Sequence, residues 1–260
     1  MGRSDHGARD EFTDVRLGLL GGFVASITKR QLMLPLRVQR LVAFLALRGH
    51  PLHRTYVAGH LWLEASQEQA NGSLRATIWN ARRLQCPLVQ VSSTHVGLSP
   101  LVVVDVHELE QCAARVLHGD SPPLGEDIEL LAHASDLLPD WYEDWVVQDR
   151  EQLQELRVHA LERAAERLIA AHRNSEASIA ALAAVNAEPL RESSCYLLVR
   201  ATLAAGNYAQ AHRHFSTFRT RLSQEVGLEP SPRIRELISQ PILRREFSGP
   251  SNPPSAVWSD

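Results

Sequence analysis

The sequence has 260 residues, 44% of them hydrophobic, and a formal net charge of −3. That length holds one large domain or two ordinary ones, and the hydrophobic share excludes a disordered chain. No apolar run approaches the roughly 20 residues of a membrane helix, and the first fourteen residues hold no apolar stretch of the secretory kind.

Residues 1–14 read as a disordered N-terminus. The apolar runs 15–20 and 23–27 are split by Gly21-Gly22, the signature of a hairpin, and 31–35 is a third short strand. Residues 37–48 switch to helical spacing, with Leu41, Phe44, Leu45 and Leu47 on one side, and end at Gly49 and Pro51. A second helix covers 53–62. The third, 66–84, opens on Ser66, with Gln69 three places on to complete a capping box. Its Leu74, Thr77, Ile78, Ala81 and Leu84 gather on one face, and Arg75, Trp79, Arg82 and Arg83 on the other, beside small Gly72 and Ala76. Residues 88–91 and 96–98 form a second hairpin around Ser92-Ser93-Thr94-His95, and 101–104 is another strand. A strand set, three helices and a closing hairpin make a winged helix-turn-helix, with the third helix as reader and the hairpin as wing.

Beyond residue 104 the pattern is helical: 107–117, 128–138, 146–172, 175–187, 191–204, 208–226 and 233–240. Ser121-Pro122-Pro123, Pro139, Pro189 and Pro230-x-Pro232 mark breaks. Ala170-Ala171, four residues, then Glu176-Ala177 recurs 34 positions later as Ala204-Ala205, four residues, then Gln210-Ala211. A period of 34 with small residues at helix crossings is the tetratricopeptide signature. The expected fold is mainly α: an α+β winged helix over 15–104, an all-α tetratricopeptide-like domain over 105–245, and a Pro/Ser-rich disordered tail over 246–260.

Charge divides along the same line. Residues 15–104 carry ten Arg or Lys against two acids, whereas 105–260 carry fifteen basic residues against twenty-four acidic ones. The basic part is suited to a polyanion and the acidic part to protein partners. The two charges attract, so the acidic part can be imagined covering the reader helix.

A helix with clustered arginines and small neighbours fits a DNA major groove. Arg75, in its N-terminal half, is the candidate base reader, and Arg83 the candidate phosphate contact. Arg82 is open to either role, and Trp79 either touches a thymine methyl or packs on the wing. Asn71 and Ser73 on the same helix, Thr94 and His95 at the wing, and Arg37, Arg40 and Arg54 toward the backbone complete the candidate set, although plain surface solvation is the better explanation of those last three.

Enzyme readings are weaker. His212-x-His214 diverges by about 200° on a helix, and His50-x-x-His53 has no cysteine or carboxylate at ligand spacing. Gly18-x-x-Gly21-Gly22 does not open a helix, as a phosphate loop must. Asp140, Glu143 and Asp144 beside Trp141 and Trp145 read as a helix start. No metal or cofactor is expected. Cys86, Cys112 and Cys195 are odd in number and far apart, which fits reduced thiols in a cytoplasm better than a disulfide framework.

The order of parts resembles the Streptomyces antibiotic regulatory protein family, an OmpR-like winged helix followed by a bacterial transcriptional activator domain. The resemblance runs from about residue 15 to 240. It rests on Leu17-Gly18 with Gly22-Phe23, Pro35-Leu36-Arg37-Val38-Gln39-Arg40, Leu61-Trp62, and Ala70-Asn71-Gly72-Ser73-Leu74-Arg75 through Trp79 and Arg82-Arg83. It continues in Leu137-Leu138-Pro139-Asp140-Trp141-Tyr142, Glu188-Pro189-Leu190-Arg191-Glu192 and Glu225-Val226-Gly227-Leu228-Glu229-Pro230-Ser231-Pro232. It implies a cytoplasmic activator that binds direct repeats of double-stranded DNA as a homodimer and recruits RNA polymerase at antibiotic gene clusters. Two features depart from the family. The wing tip carries no Arg or Lys, and Asn80-Ala81 stands where a larger basic-apolar pair is usual. The competing class is a helical-repeat adaptor whose basic part binds protein or nucleic acid non-specifically.

Overall fold

The computed structural model describes residues 15–239 apart from 29, 85 and 120. The expected disordered termini, 1–14 and 246–260, lie outside the described residues.

The chain opens with an antiparallel hairpin, β1 (Val15–Gly18) and β2 (Val24–Ile27), in the register Val15↔Ile27 to Gly18↔Val24. Gly21 and Gly22 turn it at φ +80° and +136°, which side chains with a Cβ rarely adopt. The third strand, β3 (Arg30–Gln31), is shorter than the expected 31–35. Three helices follow: α1 (Leu36–Arg48), α2 (Arg54–Leu61) and α3 (Gln67–Arg83). Gly49 closes α1 in the left-handed conformation.

The wing is the hairpin β5 (Val89–Val91) and β6 (His95–Leu98). A two-residue strand before α2, β4 (Leu52–His53), pairs with β6, so residue 53, expected to begin a helix, ends a strand instead. The last strand, β7 (Val102–Val104), runs parallel to β1 and completes the sheet β3-β2-β1-β7.

The strand β7 passes directly into α4 (Asp105–His118). The remaining helices are α5 (Gly125–His133), α6 (Asp144–Ala170), α7 (Asn174–Ala187), α8 (Glu192–Ala204), α9 (Tyr208–Val226) and α10 (Pro232–Ser239). The fold is thus a winged helix-turn-helix followed by an all-α, tetratricopeptide-like domain.

The 34-residue period appears bond for bond. Arg173 N–H donates to Leu168 C=O and His172 N–H to Ile169 C=O; 34 residues on, Asn207 donates to Thr202 and Gly206 to Leu203. Both are Schellman turns, with His172 at φ +58° and Gly206 at φ +80°. Buried Ala177 and Ala211 follow each turn and let the next helix approach closely.

The helix expected over 128–138 ends at His133. Residues beyond it leave helical geometry because they extend the first sheet instead. Leu20 bridges Leu137, Gly21 N–H donates to Asp136 C=O, and Leu138 N–H donates to Leu19 C=O. Leu138 sits at φ +40°, just before Pro139. Three arginines of α6 then satisfy carbonyls at chain ends around it. Arg150 donates to Leu137, Leu138 and Trp141. Arg157 donates to Leu131 and Ala132 at the end of α5, and Arg167 to Val116 near the end of α4.

One apolar core joins both halves, from Val15, Phe44 and Ile78 through Val104 and Leu109 to Leu161 and Ala181. A smaller cluster of Val199, Phe215, Phe218 and Ile234 ties α8 to α9 and α10. The three cysteines are free and buried. Burial pushes the Cys112 and Cys195 thiols up to about 11 and about 12, so both stay protonated near neutrality.

Candidate nucleic-acid interface

The helix α3 is built as its sequence implies. Ser66 N–H donates to Gln69 Oε1 at 3.1 Å, and Gln69 N–H donates to Ser66 Oγ at 3.4 Å, so the capping box is complete. Ala70, Leu74, Thr77, Ile78 and Ala81 are buried against the domain core. Thr77 Oγ1, a polar group on that apolar face, donates back to Ser73 C=O at 2.8 Å. Leu84 is half-buried in the residue after the helix.

The opposite face is open. Arg75, Ala76, Trp79, Asn80, Arg82 and Arg83 are exposed. The Trp79 ring is 57% exposed, and the Arg83 guanidinium lies 4.5 Å from its centroid. This cation–π pair holds Arg83 against the Trp79 ring, whereas Arg75 lies near the middle of the helix and Arg82 in its last turn. Asn71 and Ser73 are half-buried, with Asn71 Oδ1 accepting from Gln67 Nε2. A Cβ built on Gly72 meets only Arg75 Nη2, at 3.8 Å, so this turn can approach a ligand closely.

The wing stands beside α2. Arg54 N–H donates to Thr94 C=O, which fixes the start of α2 to the wing tip. Ser92 Oγ accepts from Thr94 N–H and His95 N–H and tightens that tip. Thr94 and His95 are exposed, and Thr94 Oγ1 bonds His95 Nδ1 at 2.8 Å. The His95 ring lies edge-on to His53 at 5.5 Å. Arg37 is exposed in the first turn of α1, and Arg54 is half-buried.

Arg40 is placed differently from expectation. Its Nε donates to Glu143 at 2.8 Å and its Nη2 to Leu61 C=O at 3.2 Å. These bonds make Arg40 a tie between the two halves and take it out of the interface proposed below. Arg48 makes a parallel tie, its Nη1 donating to both Asp149 oxygens at 2.8 and 2.9 Å. Burial pushes the Asp149 carboxyl up even with Arg48 beside it. The opposite charges therefore meet through α1 and not through the basic face of α3. Among the described residues, none of Arg75, Arg82 and Arg83 makes an ion pair with the acidic half, so the imagined covering of the reader helix is not the arrangement found.

Sequence reading missed the groups that orient this interface. Asp105 accepts from Leu19 N–H and Leu20 N–H at 2.9–3.0 Å and from its own neighbour Val106 N–H at 2.8 Å. His107 Nε2 bonds Ala46 C=O at 2.8 Å. Phe44 meets Trp145 edge-on at 5.3 Å, and Phe23 stacks on Trp141 at 6.0 Å. The sequence marks Phe23, Phe44, Trp141 and Trp145 as apolar, helix-start or family-string residues without pairing them, and gives no signal for Asp105 or His107.

These features define a winged-helix protein whose basic α3 face is exposed and whose helical domain is tied to its first sheet and α1. Residues 128–242 match the family model of the bacterial transcriptional activator domain. A solved structure, Mycobacterium tuberculosis EmbR in complex with a low affinity phosphopeptide, is similar with a TM-score of 0.68 at 21% identity. That match covers 86% of this chain and 64% of the other, so this chain spans about two thirds of its length or slightly less. No curated protein matches the sequence. No helix among the described residues is long and apolar enough to cross a membrane.

Proposed function

We propose that this protein is a sequence-specific DNA-binding transcriptional activator. The observation that carries the reading is the exposed Arg75–Trp79–Arg82–Arg83 face on a capped, core-anchored helix of a winged helix-turn-helix. The match of residues 128–242 to an activator-domain family supports the second half of the statement.

In this reading α3 lies in the major groove of double-stranded DNA. Arg75 reads a guanine edge, a bidentate contact that discriminates by about 1–3 kcal/mol. Arg83 grips phosphate while stacked on Trp79, and Arg82 reaches either. Asn71 and Ser73 contact the groove at the entering end of the helix. Thr94 and His95 bring the wing to the backbone without an arginine for the minor groove, and Arg37 and Arg54 add charge at its flanks. The resemblance extends the proposal to direct-repeat operators near antibiotic gene clusters, homodimer formation on DNA and recruitment of RNA polymerase in the cytoplasm.

The test is selection of genomic fragments by the purified protein at about 150 mM salt, where the Debye length is about 8 Å. A repeated short motif upstream of a few genes is the expected result. With that motif in hand, Arg75→Ala should lose the preference for it over random DNA while weak binding persists. Featureless retention of all fragments would favour the non-specific adaptor instead.

A further inference from the structure

A cleft of about 760 Å³ lies where the winged helix meets the helical domain, within the size range of small-molecule sites. Its walls carry four aromatic side chains: Tyr56 and Trp62 from the α2 side, and Tyr142 and Trp145 at the start of α6. Tyr142 is 82% exposed, an open ring at the mouth. Trp145 is 7% exposed, and its indole N–H is buried with no hydrogen-bond partner. The nitrogen itself is closed to solvent, so Trp145 offers the cleft an apolar ring surface rather than a donor.

The charges in the cleft are unequally spent. Arg40 and Arg48 line it, but Glu143 and Asp149 neutralise them. Glu64 and Asp144 line it too, and neither forms an ion pair among the described residues. The surplus is therefore anionic and set among aromatic faces, the combination that attracts a cation with an apolar body.

We propose that this cleft binds a small amphipathic organic cation, a protonated amine on an aromatic or alicyclic body. The ammonium lies beside the carboxylates of Glu64 and Asp144, and the body lies against the four rings. Gln69, the capping residue of α3, lines the same cleft, so an occupant also touches the first turn of the reader helix. The site and its test do not depend on what that helix reads.

The test uses the full chain and two probes of one shape and opposite charge, 4-methoxybenzylammonium and 4-methoxybenzoate. Binding is followed through the indole N–H signals in a two-dimensional nitrogen–proton NMR spectrum, with Trp145→Phe assigning the Trp145 signal. The ammonium probe should shift that signal saturably at concentrations up to about 10 mM, a range suited to a small fragment. Glu64→Gln and Asp144→Asn should each weaken binding about threefold or more, and Tyr142→Ala, at an exposed position, provides a variant that leaves the core intact. No shift, an equal shift with the benzoate, or binding unchanged in all three variants overturns the proposal. A cleft that serves instead as a seat for a partner protein would give the first of these results.

Discussion

Asp105 is the residue on which the joint between the two halves depends most. Its carboxylate receives the N–H of Leu19, shared between both oxygens, and the N–H of Leu20, besides that of Val106. It also sits in the first turn of α4, where a negative charge favours the helix. Replacing Asp105 with alanine strands the two N–H groups at the end of β1. Leu19 is fully buried and Leu20 half-buried, so water reaches them poorly. Hydrogen bonds to a charged acceptor contribute about 1.5–3 kcal/mol each. With some relief by solvent at Leu20, Asp105→Ala should cost about 3–4 kcal/mol. Asp105→Asn keeps one acceptor oxygen in place and should cost about 1–2 kcal/mol, chiefly the loss of charge. Urea unfolding, followed by far-ultraviolet circular dichroism and tryptophan fluorescence, measures both. A loss under about 1 kcal/mol for alanine, or asparagine as damaging as alanine, would refute the assignment.

Other consequences follow from single residues. Burial, reinforced by Arg213, holds the His214 imidazole below its ordinary value of 6.5. The folded chain thus resists a proton that the unfolded chain accepts, and stability is complete above 6.5 and falls as pH drops below it. His214→Gln should lose less melting temperature between pH 7.5 and pH 5.5 than the parent (about one unit either side of the histidine range), and equal losses would contradict this. His172→Gly places glycine where the second repeat already has Gly206. A left-handed residue with a side chain costs about 1–2 kcal/mol and glycine's extra unfolded freedom about 0.5–1, so calorimetry should find the variant as stable or slightly more stable. Arg83→Ala should weaken binding to cognate and random DNA alike and lower the salt slope by about 1, whereas a selective loss on the cognate site would make Arg83 a base reader.

What could be read in advance was local. The capping box spans three residues, the buried face of α3 follows one helical period, and the repeat places equivalent bonds a fixed 34 residues apart. Each is encoded within a short window, or by a window that recurs. What escaped was distant or brief. The parallel pairing of β1 with β7 joins segments nearly ninety residues apart, and each contributes only three or four residues of unremarkable apolar sequence. The residues 136–138 have a helical period, but tertiary pairing with Leu19, Leu20 and Gly21 prevails over it. Arg40 looks like any basic surface residue until Glu143, 103 positions away, is brought against it. On α3 the basic face was visible from spacing, whereas the Arg83–Trp79 stack, which separates a held arginine from freer ones, depends on side-chain conformation.

The division of charge and the division of packing do not coincide. Charge changes sign at residue 105, but the core passes through that point without a break, and β7 enters α4 with no linker. Asp105, the Arg40–Glu143 and Arg48–Asp149 pairs, and the Phe44–Trp145 contact all hold the helical domain to the first sheet and α1 of the winged helix. Separating the halves would strand Asp149 and Glu143 without their arginines and bare one face of Phe44. Unfolding should therefore be a single cooperative transition with coincident optical probes, and two resolved transitions would show that the joint is weaker than its contacts imply. In the proposed DNA-binding reading, a rigid joint also has a mechanical consequence. Once α3 is seated on an operator, the position of α6 to α10 relative to that DNA is set, so a partner carried on the helical domain is delivered at a fixed distance and angle from the site. Loosening the joint with Asp105→Ala should then impair activation by more than it impairs DNA binding, measured side by side by transcription and by operator affinity.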